Sequence, residues 1–153
     1  MPDLSSARDK EYLRACFALG GSTKSVGPVA MAKRMGVSKV CAYQKMRRLE
    51  ALGLGVYTGR AGLRLNGIGV SAVKRDILRH HLLEEFLIDT LKMDHNVACN
   101  ESSRMNDHLS QRLMEGINQR PRSSCKCDGC VENADDIKCL EGCHWLKRKD
   151  TDA

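Results

Sequence analysis

No apolar run in this chain approaches the ~18 residues that a membrane span requires. The opening MPDLSSARDK carries charge with no apolar stretch behind it, so a secretory signal is not expected and a cytoplasmic protein is. Aromatic side chains are scarce: one Trp, three Tyr and two Phe in 153 residues, too few for the stacking platform on which single strands are bound. A nucleotide-binding glycine fingerprint, a nucleophile paired with a base and a substrate-pocket signature are lacking as well, so an enzyme is not expected.

What is present is charge, unevenly placed. Residues 1–75 hold 14 Lys and Arg against 4 Asp and Glu, a net of +10, while residues 76–153 hold 11 against 15, a net of −4. A basic half points to a polyanion, because each cation set on a phosphate releases condensed counterions. With base stacking excluded, double-stranded DNA is the partner expected.

Apolar periodicity predicts a helix from Ala7 to Leu19, ended by Gly20-Gly21-Ser22, and a second from Val29 to Met35. Gly36-Val37-Ser38 breaks that helix, and Ser38 is a good N-cap for a third, from about Lys39 to Leu52. Ala42, Met46 and Leu49 face inward, and Lys39, Tyr43, Gln44, Lys45, Arg47 and Arg48 face outward. Two helices across a short Gly-containing turn, the second basic outside, form the helix-turn-helix pattern. Leu54 to Tyr57, a turn to Gly62 and a return strand Leu63 to Leu65 then make a two-stranded wing with Arg60 at its tip. Gly69 to Asp89 is helical again, and Asn100 to Ile117 is expected as one further helix. Their apolar residues exceed what one small head can cover, as a dimer interface would require.

Three stretches in this order resemble the diphtheria-toxin-repressor and manganese-transport-regulator family of metal-dependent transcriptional regulators. They are KEYLRACFALGG from Lys10, residues 29–69 spanning the helix-turn-helix and wing, and RHHLLEEFLIDTLKMD (79–94) continuing into ESSRMNDHLS (101–110). The resemblance covers about residues 7–122. It implies a mainly α protein with a small β-wing, and a homodimeric repressor with one recognition helix per subunit in the major groove of a palindromic operator. On this chain the matching helix offers Ser38, Lys39, Cys41, Tyr43 and Gln44. Gln44 suits a bidentate pair with adenine, Lys39 and Arg47 suit phosphates, and the wing's Arg60 suits a phosphate or the minor groove.

The resemblance also implies a site for Fe2+ or Mn2+, whose ligand positions fall on Glu11, His80, Glu84, Cys99, Ser103, Asn106 and Asp107. His80 and Glu84 share a helical face by their i, i+4 spacing. Ser103 and Asn106 are weak neutral donors, and at 107 a carboxylate replaces the family's imidazole. The residual set Glu11, His80, Glu84, Cys99 and Asp107 either still holds a divalent ion or has become a hydrogen-bonded polar cluster.

Five of the eight cysteines crowd the C-terminal tail: Cys125, Cys127, Cys130, Cys139 and Cys143, with His144 beside them. Clustered thiols in a cytosolic chain point to metal or iron–sulfur ligation. An iron–sulfur cluster is the preferred reading, reporting iron or redox state. Zn2+ on Cys127, Cys130, Cys139 and Cys143 is the alternative, and would leave a constitutive DNA-binding protein with a structural tail. The expected organisation is a DNA-binding domain (1–75), a helical dimerisation and metal-site domain (76–122) and a Cys-rich tail (123–153).

Overall fold

The computed structural model describes residues 6–120. The elements run α1 (Ala7–Ala18), α2 (Pro28–Met35), α3 (Lys39–Ala51), β1 (Gly55–Thr58), β2 (Gly62–Leu65), α4 (Gly67–Leu91), α5 (His95–Met105) and α6 (Gln111–Asn118). The chain divides into two compact units between Val73 and Lys74, so α4 carries residues of both. Among the described residues no helix is long and apolar enough to cross a membrane. The Cys-rich tail, with its six expected ligands, lies outside them.

In the first unit, polar caps start the helices. Ser6 accepts from the Asp9 amide at the head of α1, and Ser38 accepts from the Cys41 amide at the head of α3. These bonds satisfy amides that the first helical turn leaves open. Gly36 ends α2 at φ 65°, a left-handed conformation that folds the chain sharply into α3. Tyr12, Leu13, Cys16, Phe17, Met31, Met46, Leu49, Leu54 and Leu63 form the buried core under the three helices and the wing. Burial pushes the Cys16 thiol up to about 12, so at neutral pH it is a protonated core hydrophobe.

The wing is an antiparallel pair in the register Gly55 with Leu65 through Thr58 with Gly62. Val26 extends it by one bridge, exchanging amide and carbonyl with Leu63 at 2.8 and 2.9 Å. Gly62 lies beside that bridge at φ 101°, where a Cβ would run into the Val26 carbonyl. Asn66 then ties wing to helix: its Oδ1 accepts from the Gly69 amide and its Nδ2 donates to the Gly53 carbonyl, both at 2.9 Å.

In the second unit, Leu83 and Leu87 of α4, Ala98 of α5, and Met114 and Ile117 of α6 form one apolar cluster. The single helix expected from Asn100 to Ile117 is instead two. Asp94 caps α5 so that it starts at His95, and Ser110 caps α6. The intervening turn is pinned by Arg79, whose Nη2 donates to the Asn106 and Leu109 carbonyls at 3.3 and 2.9 Å. Met105 and Leu113 are exposed in the single chain.

The two glycines predict different costs. Gly36→Ala strains only the backbone and should cost about 1 kcal/mol, whereas Gly62→Ala adds a backbone collision and should cost about 2 kcal/mol or more. Urea unfolding monitored by circular dichroism measures both; equal midpoints for the two variants would contradict the packing described.

Candidate functional site

On the exposed side of α3, Ser38, Lys39, Val40, Tyr43, Gln44 and Arg47 face solvent. Two cations expected there, the exposed Arg48 and the half-buried Lys45, also reach Asp9 of α1. The Nε of Arg48 donates to Asp9 Oδ2 at 2.8 Å, and the Lys45 ammonium lies 3.7 Å from Asp9 Oδ1. Asp9 is buried, and a buried carboxylate is tolerated only where partners compensate its lost hydration. The pair therefore holds α3 against α1.

Cys41 is half-buried, its Sγ 3.8 Å from the Tyr12 hydroxyl. Arg47 is steadied by Glu50 at 2.8 Å and by the Tyr57 ring, whose centroid lies 5.5 Å away. Tyr43 meets the same ring edge-on at 5.5 Å. Burial, and then the neighbouring Tyr43, raise the Tyr57 phenol above its ordinary range. Arg60 is exposed in the turn between the wing strands. Val40, 66% exposed, was not singled out from sequence; an apolar side chain on a basic helix face suits the methyl of thymine.

The second unit holds a cluster of different chemistry. His80 and Glu84 project from α4 and Cys99 from α5, all three buried, with one ligand atom of each within 4.8 Å of the others. Cys99 Sγ lies 3.6 Å from His80 Nε2, which lies 3.5 Å from Glu84 Oε2. Two further imidazoles face the same carboxylate: His81 Nδ1 is 3.5 Å from Oε2, and His95 Nε2 is 3.0 Å from Oε1. Imidazole, carboxylate and thiolate are the donors that divalent transition metals take, so this cluster fits such an ion.

Other expected ligands have different surroundings. Glu11 belongs to the first unit and pairs with Arg8 at 2.8 Å. Ser103 donates to the Cys99 carbonyl at 2.7 Å, and the buried Asn106 donates through Nδ2 to Asp76 at 2.9 Å. α5 ends at Met105, and Asp107 stands in the turn beyond it, outside the converging set. His95 was missed from sequence, although Asp94, a good N-cap, marks the turn that delivers it.

Comparison with known proteins yields two matching domain descriptions. Residues 4–63 match the N-terminal DNA-binding domain of the iron dependent repressor, and residues 68–125 its metal-binding and dimerisation domain. An uncharacterized helix-turn-helix-type transcriptional regulator of Methanocaldococcus jannaschii is 20% identical over 71% of this chain and 87% of its own length. A hypothetical protein of Sulfolobus solfataricus has a similar structure, with a TM-score of 0.65 at 18% identity over 74% of this chain and 87% of that one. A manganese-dependent transcriptional repressor in complex with manganese superposes with a TM-score of 0.59 at 28% identity, over 72% of this chain and 51% of that one. The chain thus spans about half the length of that repressor. The same holds for the manganese-activated repressor ScaR, which is 25% identical over 71% of this chain and 51% of its own, with a TM-score of 0.61.

Removing the carboxylate under α3 tests the interface geometry. Asp9→Ala should lower stability by about 1–3 kcal/mol, since it removes a buried hydrogen-bonded partner of Arg48. It should also weaken DNA binding by freeing α3. Thermal unfolding and duplex titration read the two effects, and an unchanged melting temperature would contradict the assignment.

Proposed function

Because this chain belongs to the iron-dependent repressor family, whose members are transcriptional regulators and not enzymes, we propose that it is a homodimeric, metal-activated repressor of a palindromic operator. The observation that carries this reading is the buried convergence of His80, Glu84 and Cys99. When bound there, a divalent cation supplies the positive charge that a buried carboxylate and thiolate otherwise lack. His80 would offer Nε2, Glu84 an oxygen and Cys99 its sulfur, which gives up its proton on binding. Activation by manganese, stated of ScaR, supports the direction of the response.

At the DNA, Lys39 and Arg47 hold phosphates and Gln44 reads adenine, with Ser38, Cys41 and Tyr43 around them and Arg60 reaching from the wing. The +10 net charge of residues 1–75 supports this division of labour. α4, which carries residues of both units, also carries His80 and Glu84, so ion binding bears on a helix continuous with the wing-side chain. Metal activates only if the DNA-binding form takes the ion more tightly than the other form does.

The tail ligands Cys125, Cys127, Cys130, Cys139, Cys143 and His144 enter the reading as a second sensor, an iron–sulfur cluster responding to iron or redox state. Five thiols and an imidazole within residues 125–144 support it. Anaerobic purification with iron, sulfide and zinc analysis decides: matched iron and sulfide supports the cluster, and zinc without sulfide makes the tail structural.

Duplexes selected from a random pool in the presence of Zn2+ or Mn2+ test the main reading. Metal should tighten binding about tenfold or more over chelated protein. Affinity should fall steeply with salt, and Arg60→Ala should lower the log–log salt slope by about one. Equal affinity for the selected duplex with and without metal would overturn metal activation.

A further inference from the structure

We propose that Cys99 tunes the His80–Glu84–Cys99 centre to thiophilic ions of the zinc and cobalt class rather than to manganese, with His95 as the positioning residue of Glu84. This rests on the reading above that the three residues hold a divalent ion. Donor chemistry comes first: thiolate suits zinc, whereas manganese and magnesium prefer oxygen donors.

Spacing is compatible with one shared ion. The two edges that meet at His80 Nε2 measure 3.6 Å to Cys99 Sγ and 3.5 Å to Glu84 Oε2, and the three ligand atoms all lie within 4.8 Å of one another.

Among the described residues no further His, Cys, Asp or Glu joins the converging set. The Ser103 hydroxyl donates to the Cys99 carbonyl, and the wholly buried Asn106 donates through Nδ2 to Asp76, its Oδ1 having no hydrogen-bond partner. Both are neutral donors, weaker than a carboxylate for a hard cation. The Glu84 carboxylate is itself divided between its neighbours. Oε2 lies on the His80 side, while Oε1 sits 3.0 Å from His95 Nε2. An outer imidazole on Oε1 orients the carboxylate and directs Oε2 to the ion, as partners of ligating carboxylates do. His95 starts α5, four residues before Cys99 on the same helix, so brace and sulfur ligand are positioned together.

The test uses the full chain carrying Cys125→Ser, Cys127→Ser, Cys130→Ser, Cys139→Ser, Cys143→Ser and His144→Ala, which removes the tail ligands and leaves Cys16, Cys41 and Cys99. Anaerobic Co2+ titration should give one ion per chain, strong visible bands of four-coordinate cobalt, and a near-ultraviolet sulfur-to-cobalt charge-transfer band. Cys99→Ser should abolish the charge-transfer band with the circular dichroism spectrum unchanged. Cys99→Asp should lower the ratio of the Mn2+ to the Zn2+ dissociation constant about tenfold or more. His95→Ala should weaken cobalt binding about tenfold or more, and His95→Gln, which keeps an N–H donor for Glu84, should recover most of the loss.

Cobalt bound without a charge-transfer band, or a metal ratio unmoved by Cys99→Asp, would overturn the thiophilic assignment while leaving a metal site in place. No recovery in His95→Gln would overturn the positioning role. Failure to bind Co2+, Zn2+ or Mn2+ at all would remove the underlying reading as well.

Discussion

A carboxylate inside a protein must be answered by positive charge or by hydrogen bonds, and Glu84 is the carboxylate on which the second unit turns. It is 3% exposed, sits on α4 and is faced by His80, His81 and His95, with Cys99 beside His80. Leaving a buried ion unpaired costs several kcal/mol. The approach of α5 to α4 therefore brings an imidazole and a thiol to Glu84 while it buries Ala98 against Leu83 and Leu87. Apolar burial brings the two helices together, and the ligand cluster gives that packing a chemical use.

The first unit repeats the solution with a different purpose. Asp9, 1% exposed, holds Arg48 and Lys45 of α3. Both cations reach toward α1, while Lys39, Val40, Tyr43, Gln44 and Arg47 face solvent on the same helix. Helix position is thereby fixed by charges that α3 itself supplies. Tyr57 of the wing steadies Arg47 and Tyr43.

Most of the first unit was legible in the sequence because its signals are local. Apolar spacing, the Ser38 cap, the Gly36 break and the wing turn each act within a few residues. His80, Glu84 and Cys99 were legible through the family resemblance, and the i, i+4 spacing of the first two agrees with one shared helix face. Contacts remote in sequence were not. The Asp9–Arg48 bond joins residues 39 apart, and nothing in the pattern of α3 tells that Arg48 rather than its neighbour Arg47 meets Asp9. The turn after Met105 escaped notice although Asn106, Asp107 and the capping Ser110 favour turns, and the contact that pins it, Arg79 on two carbonyls, comes from α4. His95 was hidden for the same reason: its partner stands eleven residues earlier on another helix.

If the ion at His80, Glu84 and Cys99 controls DNA binding, operator and metal must each strengthen the other by the same factor. The direct measurement is the Zn2+ dissociation constant by competition calorimetry on the tail-substituted chain, free and saturated with its selected duplex. The account predicts tighter metal binding on the duplex, by the same factor with which metal tightens DNA binding. A metal dissociation constant identical with and without DNA would contradict it.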